Sequence, residues 1–356
     1  MDIRSRLSYV LWLNIIIGFS MIAFSATASE KKISDLQFRQ LVSSLDRAAT
    51  EPLGEPVRIA IIYPGLQESD YWQRSIKALR GRLDDLDIPY SLDIRFSKPY
   101  VESDLQETQI LEILEKDPDY LIYTINSHRQ QRIVESLLTR ARPKLIIQNL
   151  TQPIATWFDI QPLMYVGFDH AQGARYLAEH FKATFPQNTP YGILFWGEGV
   201  LSEQRGGVFE NNIGDYHDLK VSYFTDASRE KAKHATLNML ADYPSIRYIY
   251  ACSTDVALGA LDALQAIGRD DVFVNGWGGG EAELKVLKQG KLDIVLMRMN
   301  DQSGIAIAEA IRLDMHNVQI PQVFAGDFHI ITTDMPTKTI DQLIEQAFIY
   351  SGKPEL

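Results

Sequence analysis

YIYACSTDVALGALDALQAIGRDDVFVNGWGGG, residues 248–280, decides the fold class of this chain. Tyr248 to Cys252 is an apolar run of strand length, cut off by Ser253, Thr254 and Asp255. From Val256 the period changes: Leu258, Leu261, Leu264 and Ile267 recur at three-residue steps, which marks a helix face. Thr254 or Asp255 is placed to cap that helix and Gly268 to close it. Val272 to Asn275 reads as a second short strand, left through a glycine-rich loop from Gly276 to Gly280. Strand, helix and strand in this order set two parallel strands side by side, with both loops at their carboxyl ends. That edge is where open α/β sheets bind small ligands. Thr254 and Asp255 offer hydrogen bonds there, and Trp277 offers a flat apolar face.

The same rhythm runs outward in both directions. Strands are expected at 57–63, 90–96, 120–125, 144–148 and 164–168, then again at 191–196, 219–225, 294–299 and 328–332, with helices between them. Two such series predict an α/β protein of two doubly wound parallel-sheet lobes, joined by short crossings that suit a hinge, with a ligand cleft between them. The boundaries drawn from the pattern are 29–168 plus 293–315 for the N-terminal lobe and 169–292 plus 316–356 for the C-terminal lobe. A helix at 33–49 precedes the alternation.

Composition limits what such a protein does. Its 356 residues exceed one ordinary domain, and 46% of them are hydrophobic, enough for substantial cores. The 35 Lys and Arg against 46 Asp and Glu give a net charge of −11 without a basic cluster, which excludes a nucleic-acid binder. The single cysteine, Cys252, rules out an internal disulfide and reads as a buried structural thiol. At the start, Arg4 and Arg6 precede an apolar run from Leu7 to Phe24, and Ala26-Thr27-Ala28 follows. Residues 1–28 therefore read as a secretory signal peptide cleaved after Ala28, the alternative being an uncleaved anchor. The mature chain is expected in the periplasm.

Enzyme signatures are missing. None of the seven histidines forms His-Glu-x-x-His, no Gly-x-Ser-x-Gly elbow occurs, and Gly276 to Gly280 fails the phosphate-loop pattern at Glu281. The chain reads as a binding protein without catalytic residues, metal or cofactor, a dispersed enzyme site being the lesser alternative. Polar and aromatic residues instead collect after strands: Gln67, Ser69 and Trp72, then Thr124 and Asn126, Asn149, Arg205, Thr254, Asp255, Trp277 and Arg298. Taken singly, each is as well explained as a core residue, a cap or a surface ion pair. Their shared position favours a ligand site, in which two arginines from opposite lobes hold an anion or a polyhydroxyl ligand.

A resemblance sharpens this. Asp255-Val256-Ala257-Leu258-Gly259-Ala260-Leu261 matches a pattern of type I periplasmic binding proteins of the ribose class. Within that class the chain resembles the LuxP-type periplasmic receptors for the quorum-sensing signal autoinducer-2. The segments that carry the likeness are YPGLQESDYW (63–72), YVGFDHAQGARYLAEHF (165–181), YACSTDVALGALDAL (250–264), NGWGGG (275–280) and MRMNDQSGIAIAEAI (297–311). The resemblance implies a furanosyl borate diester as ligand, bound by Gln67, Ser69, Trp72, Thr124, Asn149, Arg205, Thr254, Asp255, Trp277 and Arg298. It also implies a partner, the periplasmic domain of a LuxQ-type hybrid sensor kinase in the inner membrane. The same fold serves importers of ribose, galactose or borate-free autoinducer-2, which is the alternative function.

Overall fold

The computed structural model describes residues 31–45, 55–125 and 127–354. The signal-peptide reading of 1–28 and Asn126 lie outside the described residues. The strands in chain order are β1 (Val57–Tyr63), β2 (Tyr90–Phe96), β3 (Tyr120–Tyr123), β4 (Lys144–Gln148), β5 (Met164–Phe168), β6 (Pro190–Phe195), β7 (Asp218–Phe224), β8 (Tyr248–Ala251), β9 (Phe273–Gly278), β10 (Ile294–Arg298), β11 (Val323–Gly326) and β12 (Phe328–Thr332). They form two six-stranded sheets, ordered β11-β5-β4-β3-β1-β2 and β12-β10-β9-β8-β6-β7. The first sheet is parallel throughout, and in the second only β12 runs antiparallel, against β10. Central strands read as continuous apolar runs because helices cover both faces of a parallel sheet. In β1 six of the seven residues are buried, whereas the edge strand β7 keeps only half-buried and exposed positions.

Helices fill the crossovers: α1 (Asp35–Ser44), α2 (Tyr71–Asp85), α3 (Ser103–Leu114), α4 (His128–Leu138), α5 (His170–Thr184), α6 (Val200–Ser202), α7 (Val208–Ile213), α8 (Arg229–Asp242), α9 (Thr254–Ile267), α10 (Glu281–Lys288), α11 (Asp301–Met315) and α12 (Thr337–Ala347). Their ends follow local chemistry. Ser34 and Gln37 close a capping box on α1. Gly268 ends α9 at φ +65°, a conformation that costs glycine little. Ser253, not Thr254 or Asp255, is the N-cap residue of α9, so those two lie in its first turn. The second strand of the opening stretch also runs further than its apolar core: β9 continues through Gly276, Trp277 and Gly278, paired with β10.

The lobe boundaries drawn from the alternation need correcting at the end of the chain. β10 joins the second sheet, between β9 and β12, although 293–315 was assigned to the first lobe. α11 does return to the first lobe, where Gly304 lets it approach the α2 backbone: a Cβ there would sit 2.2 Å from the Ser75 carbonyl oxygen. β11 then extends the first sheet beside β5, and β12 crosses back within two residues. After α12 the chain returns once more, Tyr350 and Ser351 donating their backbone N–H groups to Asp301. A strand's apolar pattern records that it is buried, not which of two similar sheets it joins.

Beneath α2 and α11, Arg82 and Glu309 are both fully buried and paired, and the other Glu309 oxygen accepts from Arg312 at 2.8 Å. Glu309→Ala leaves Arg82 buried without its carboxylate, so urea unfolding should register a loss of about 3–5 kcal/mol. A loss below about 1 kcal/mol would show that this pair does not hold α11 to the first lobe.

Candidate functional site

The carboxyl ends of the two sheets face each other across a narrow cleft lined by residues of both lobes. Several contacts hold the lobes together at its rim. The Glu68 N–H donates to Asp255 at 3.1 Å, the Glu281 N–H donates to Asp70 at 3.2 Å, and Arg74 lies 3.6 Å from Glu281. Asp70 stands at the start of α2 but makes no capping bond to its own helix; its carboxylate is turned to Arg74 and across the cleft. The lobes are therefore closed.

Eight of the ten residues singled out from sequence line the cleft: Gln67, Ser69, Trp72, Asn149, Arg205, Thr254, Trp277 and Arg298. Two do not. Thr124, just past β3, is buried beside the sheet with its hydroxyl unpartnered. Asp255 faces the adjoining interlobe surface with Leu66, Lys98 and Lys231, where it tethers the loop that carries Gln67 and Ser69. Sequence reasoning missed Pro64, Tyr71, Trp196, Leu201 and Ser253, which also line the cleft. Tyr71 and Ser253 adjoin residues already singled out, so their place at strand ends was the available signal. Trp196 and Leu201 follow β6 and carried none.

The two arginines dominate the site. Arg205 sits in a π-helical turn, Glu203–Gly207, between α6 and α7. Such turns widen a helix and redirect side chains, often at functional positions. The Tyr250 hydroxyl donates to the Arg205 carbonyl at 2.9 Å, fixing the turn, while the guanidinium donates to the Cys252 carbonyl at 3.0 Å and lies 5.1 Å from the Trp277 ring centre. Arg298 ends β10, 4.4 Å from the ring centre of Tyr71, and donates to the Trp277 carbonyl at 3.4 Å. Its room comes from Gly278, where a Cβ would stand 2.6 Å from Nη2.

Both arginines are only 4% exposed, and among the described residues neither forms a salt bridge with a carboxylate. Arg298 Nε has no partner at all. Burial, and after it the charge of Arg298, pushes Arg205 down to about 9, and burial likewise lowers Arg298. A guanidinium does not give up its proton in a protein, so these shifts express electrostatic stress rather than neutral arginine. Among the described residues no carboxylate lines the cleft. The nearby acid, Glu283, is fully buried behind Trp277, where its two oxygens accept from the Trp277 and Gly279 N–H groups at 2.7 Å.

Comparison with known proteins places this architecture. A periplasmic binding protein domain matches residues 59–314, more than half of the chain. The chain belongs to the periplasmic binding protein family. It is similar to the ribose import binding protein of Salmonella typhimurium, 32% identical over 104 residues that cover 29% of this chain and 35% of that protein. The corresponding Bacillus subtilis protein is 25% identical over 139 residues, covering 38% of this chain and 45% of its own length. The chain thus spans about a third to a half of the length of these relatives. Among solved structures, a solute-binding protein of an ABC transporter from Actinobacillus succinogenes with bound D-allose superposes with a TM-score of 0.68 at 22% identity, over 79% of this chain and 98% of that one. A periplasmic ribose ABC transporter protein from Conexibacter woesei gives 0.68 at 16% identity, over 83% and 96%. At those identities the likeness establishes the two-lobed binding-protein fold. Among the described residues no helix is long and apolar enough to cross a membrane.

Charges kept for a ligand rather than for the fold have a thermodynamic signature. Arg298→Met should leave the ligand-free protein as stable as before, or more stable by about 1–3 kcal/mol, because it removes a buried charge that forms no direct salt bridge. Urea unfolding in the absence of ligand measures this, and a clear loss of stability would make Arg298 a structural residue.

Proposed function

We propose that this chain is a periplasmic receptor that binds autoinducer-2, as its furanosyl borate diester, between its closed lobes. The observation that carries this reading is the charge of the cleft: two buried arginines, no lining carboxylate, and neutral hydrogen-bonding groups around them. A tetrahedral borate diester carries one negative charge. Burial raises Glu283, but the Gly279 and Trp277 N–H groups and the charge of Arg298 favour its carboxylate, and in that form it leaves one guanidinium charge for the ligand to balance. Gln67, Ser69, Asn149 and Thr254 serve the sugar-like oxygens, and Trp72 and Trp277 bound the ring. The segment resemblance to LuxP-type receptors supports the same ligand. Lobe closure then alters the outer surface, which suits control of a LuxQ-type hybrid sensor kinase in the inner membrane, shifting it from kinase towards phosphatase activity.

A second reading, the binding component of a sugar importer, draws on the ribose import proteins among the relatives. Beside an ionised Glu283, a neutral sugar still leaves one guanidinium charge without countercharge in the cleft, and for that reason it ranks second. Arg205→Ala and Arg298→Ala, titrated with the autoinducer-2 precursor and borate, should each lose about 2–5 kcal/mol of binding. Either variant binding as tightly as the unmodified chain would remove the electrostatic basis of the proposal.

A further inference from the structure

His170 lies within the segment 165–181 that carries the resemblance but is not among the ligand-binding residues it implies, yet it occupies the junction of the site. It is the first residue of α5, directly after the chain leaves β5 and crosses from the first lobe to the second, and it is 1% exposed. Its two ring nitrogens reach residues of opposite lobes. Nε2 lies 3.1 Å from the Asn149 side-chain oxygen at the end of β4, and Nδ1 lies 3.4 Å from Arg205 Nε in the π-helical turn. These partners settle the proton. Arg205 can only donate, so Nδ1 accepts and Nε2 carries the hydrogen that Asn149 receives. The ring also flanks Trp277, with centres 6.3 Å apart.

We infer that His170 is the positioning residue that sets Arg205 and Asn149, one from each lobe, in register for the same ligand. The inference rests on the reading of this cleft as the binding site. Arg205 has its Nε engaged by the ring and Nη1 by the Cys252 carbonyl, which orients the guanidinium on two sides and fixes its remaining edge. A hydrogen bond to a charged group is worth more than a neutral one, so the ring contributes real directional constraint. The charged groups that face the ring are Arg205 and Arg298. Together with burial, which acts most strongly, they hold His170 well below its usual range and keep it a neutral acceptor. Asp169 precedes it but caps α5, accepting from the Gln172 N–H.

The test separates this role from packing, and from the identity of the ligand. In the chain from Ser29 onward, without ligand, ring nitrogen shifts should show His170 as the neutral Nε2–H tautomer. The Arg205 Nε–H should exchange slowly with solvent, faster in His170→Phe, and slowly again in His170→Asn, whose carboxamide oxygen can take the place of Nδ1. An Nδ1–H tautomer, or unchanged Arg205 exchange in His170→Phe, overturns the inference whatever the ligand. In titrations with the autoinducer-2 precursor and borate, His170→Phe should weaken binding roughly 10- to 100-fold and His170→Asn should recover most of it. Equal binding by His170→Phe and the unmodified chain also overturns it. Failure of the unmodified chain to bind the borate ligand sinks the proposed function instead, and the exchange measurement still decides the role of His170.

Discussion

Two buried guanidiniums share one closed cleft, and among the described residues neither forms a salt bridge with a carboxylate. That repulsion, added to the desolvation of each charge, is the constraint on which the organisation of the site depends. A protein selected for stability alone would pair or remove them, as it pairs Arg82 with Glu309 under α11. The surrounding structure instead makes the arrangement tolerable. Carbonyl oxygens of Cys252 and Trp277 accept from the arginines, aromatic faces of Trp277 and Tyr71 lie against them, and Gly278 leaves space for Arg298. Dipoles and π-faces lessen the cost without cancelling the charge. Under the proposed function an anionic ligand supplies countercharge, and in a low-dielectric site that compensation is strong.

The same constraint connects the site to the motion of the lobes. Arg205 and Arg298 approach the cleft on the second-lobe side, whereas Gln67, Ser69, Trp72 and Asn149 come from the first lobe. Bringing them around one anion requires closure, and the rim contacts of Asp70, Arg74, Glu68 and Asp255 add to the closed state. A ligand shifts such an equilibrium only as far as it binds the closed form better than the open one. Contacts that exist in the closed form alone are therefore the ones that couple binding to closure.

Much of this was legible in the sequence because buried parallel strands leave continuous apolar runs with polar residues just beyond them. The runs ending near Gln148 and Arg298 placed Asn149 and Arg298 at the cleft, but Arg298 stands on the same lobe as Arg205 and not on the opposite one, because β10 joins the second sheet. Other features were hidden for identifiable reasons. The π-helical turn around Arg205 has no periodic signature over five residues. Trp277 looked like a loop residue because glycines surround it, but pairing with β10 keeps it in the strand. Thr124 and Asp255 obey the strand-end rule, yet one is buried outside the cleft lining and the other meets the lobe contact, and side-chain direction is set by packing that one chain's pattern does not record. His170 was invisible because nothing near it in sequence reveals that Arg205 and Asn149 converge on its ring.

The central claim is that this cleft is built for one negative charge on a sugar-like ring. Calorimetric titration of the chain with the autoinducer-2 precursor, in rigorously boron-free buffer and again with added borate, addresses it most directly. The account predicts tight binding that appears only with borate. Equal binding in both buffers, or tight binding of ribose in place of the borate ligand, would contradict it and turn the protein into a receptor for an uncharged sugar.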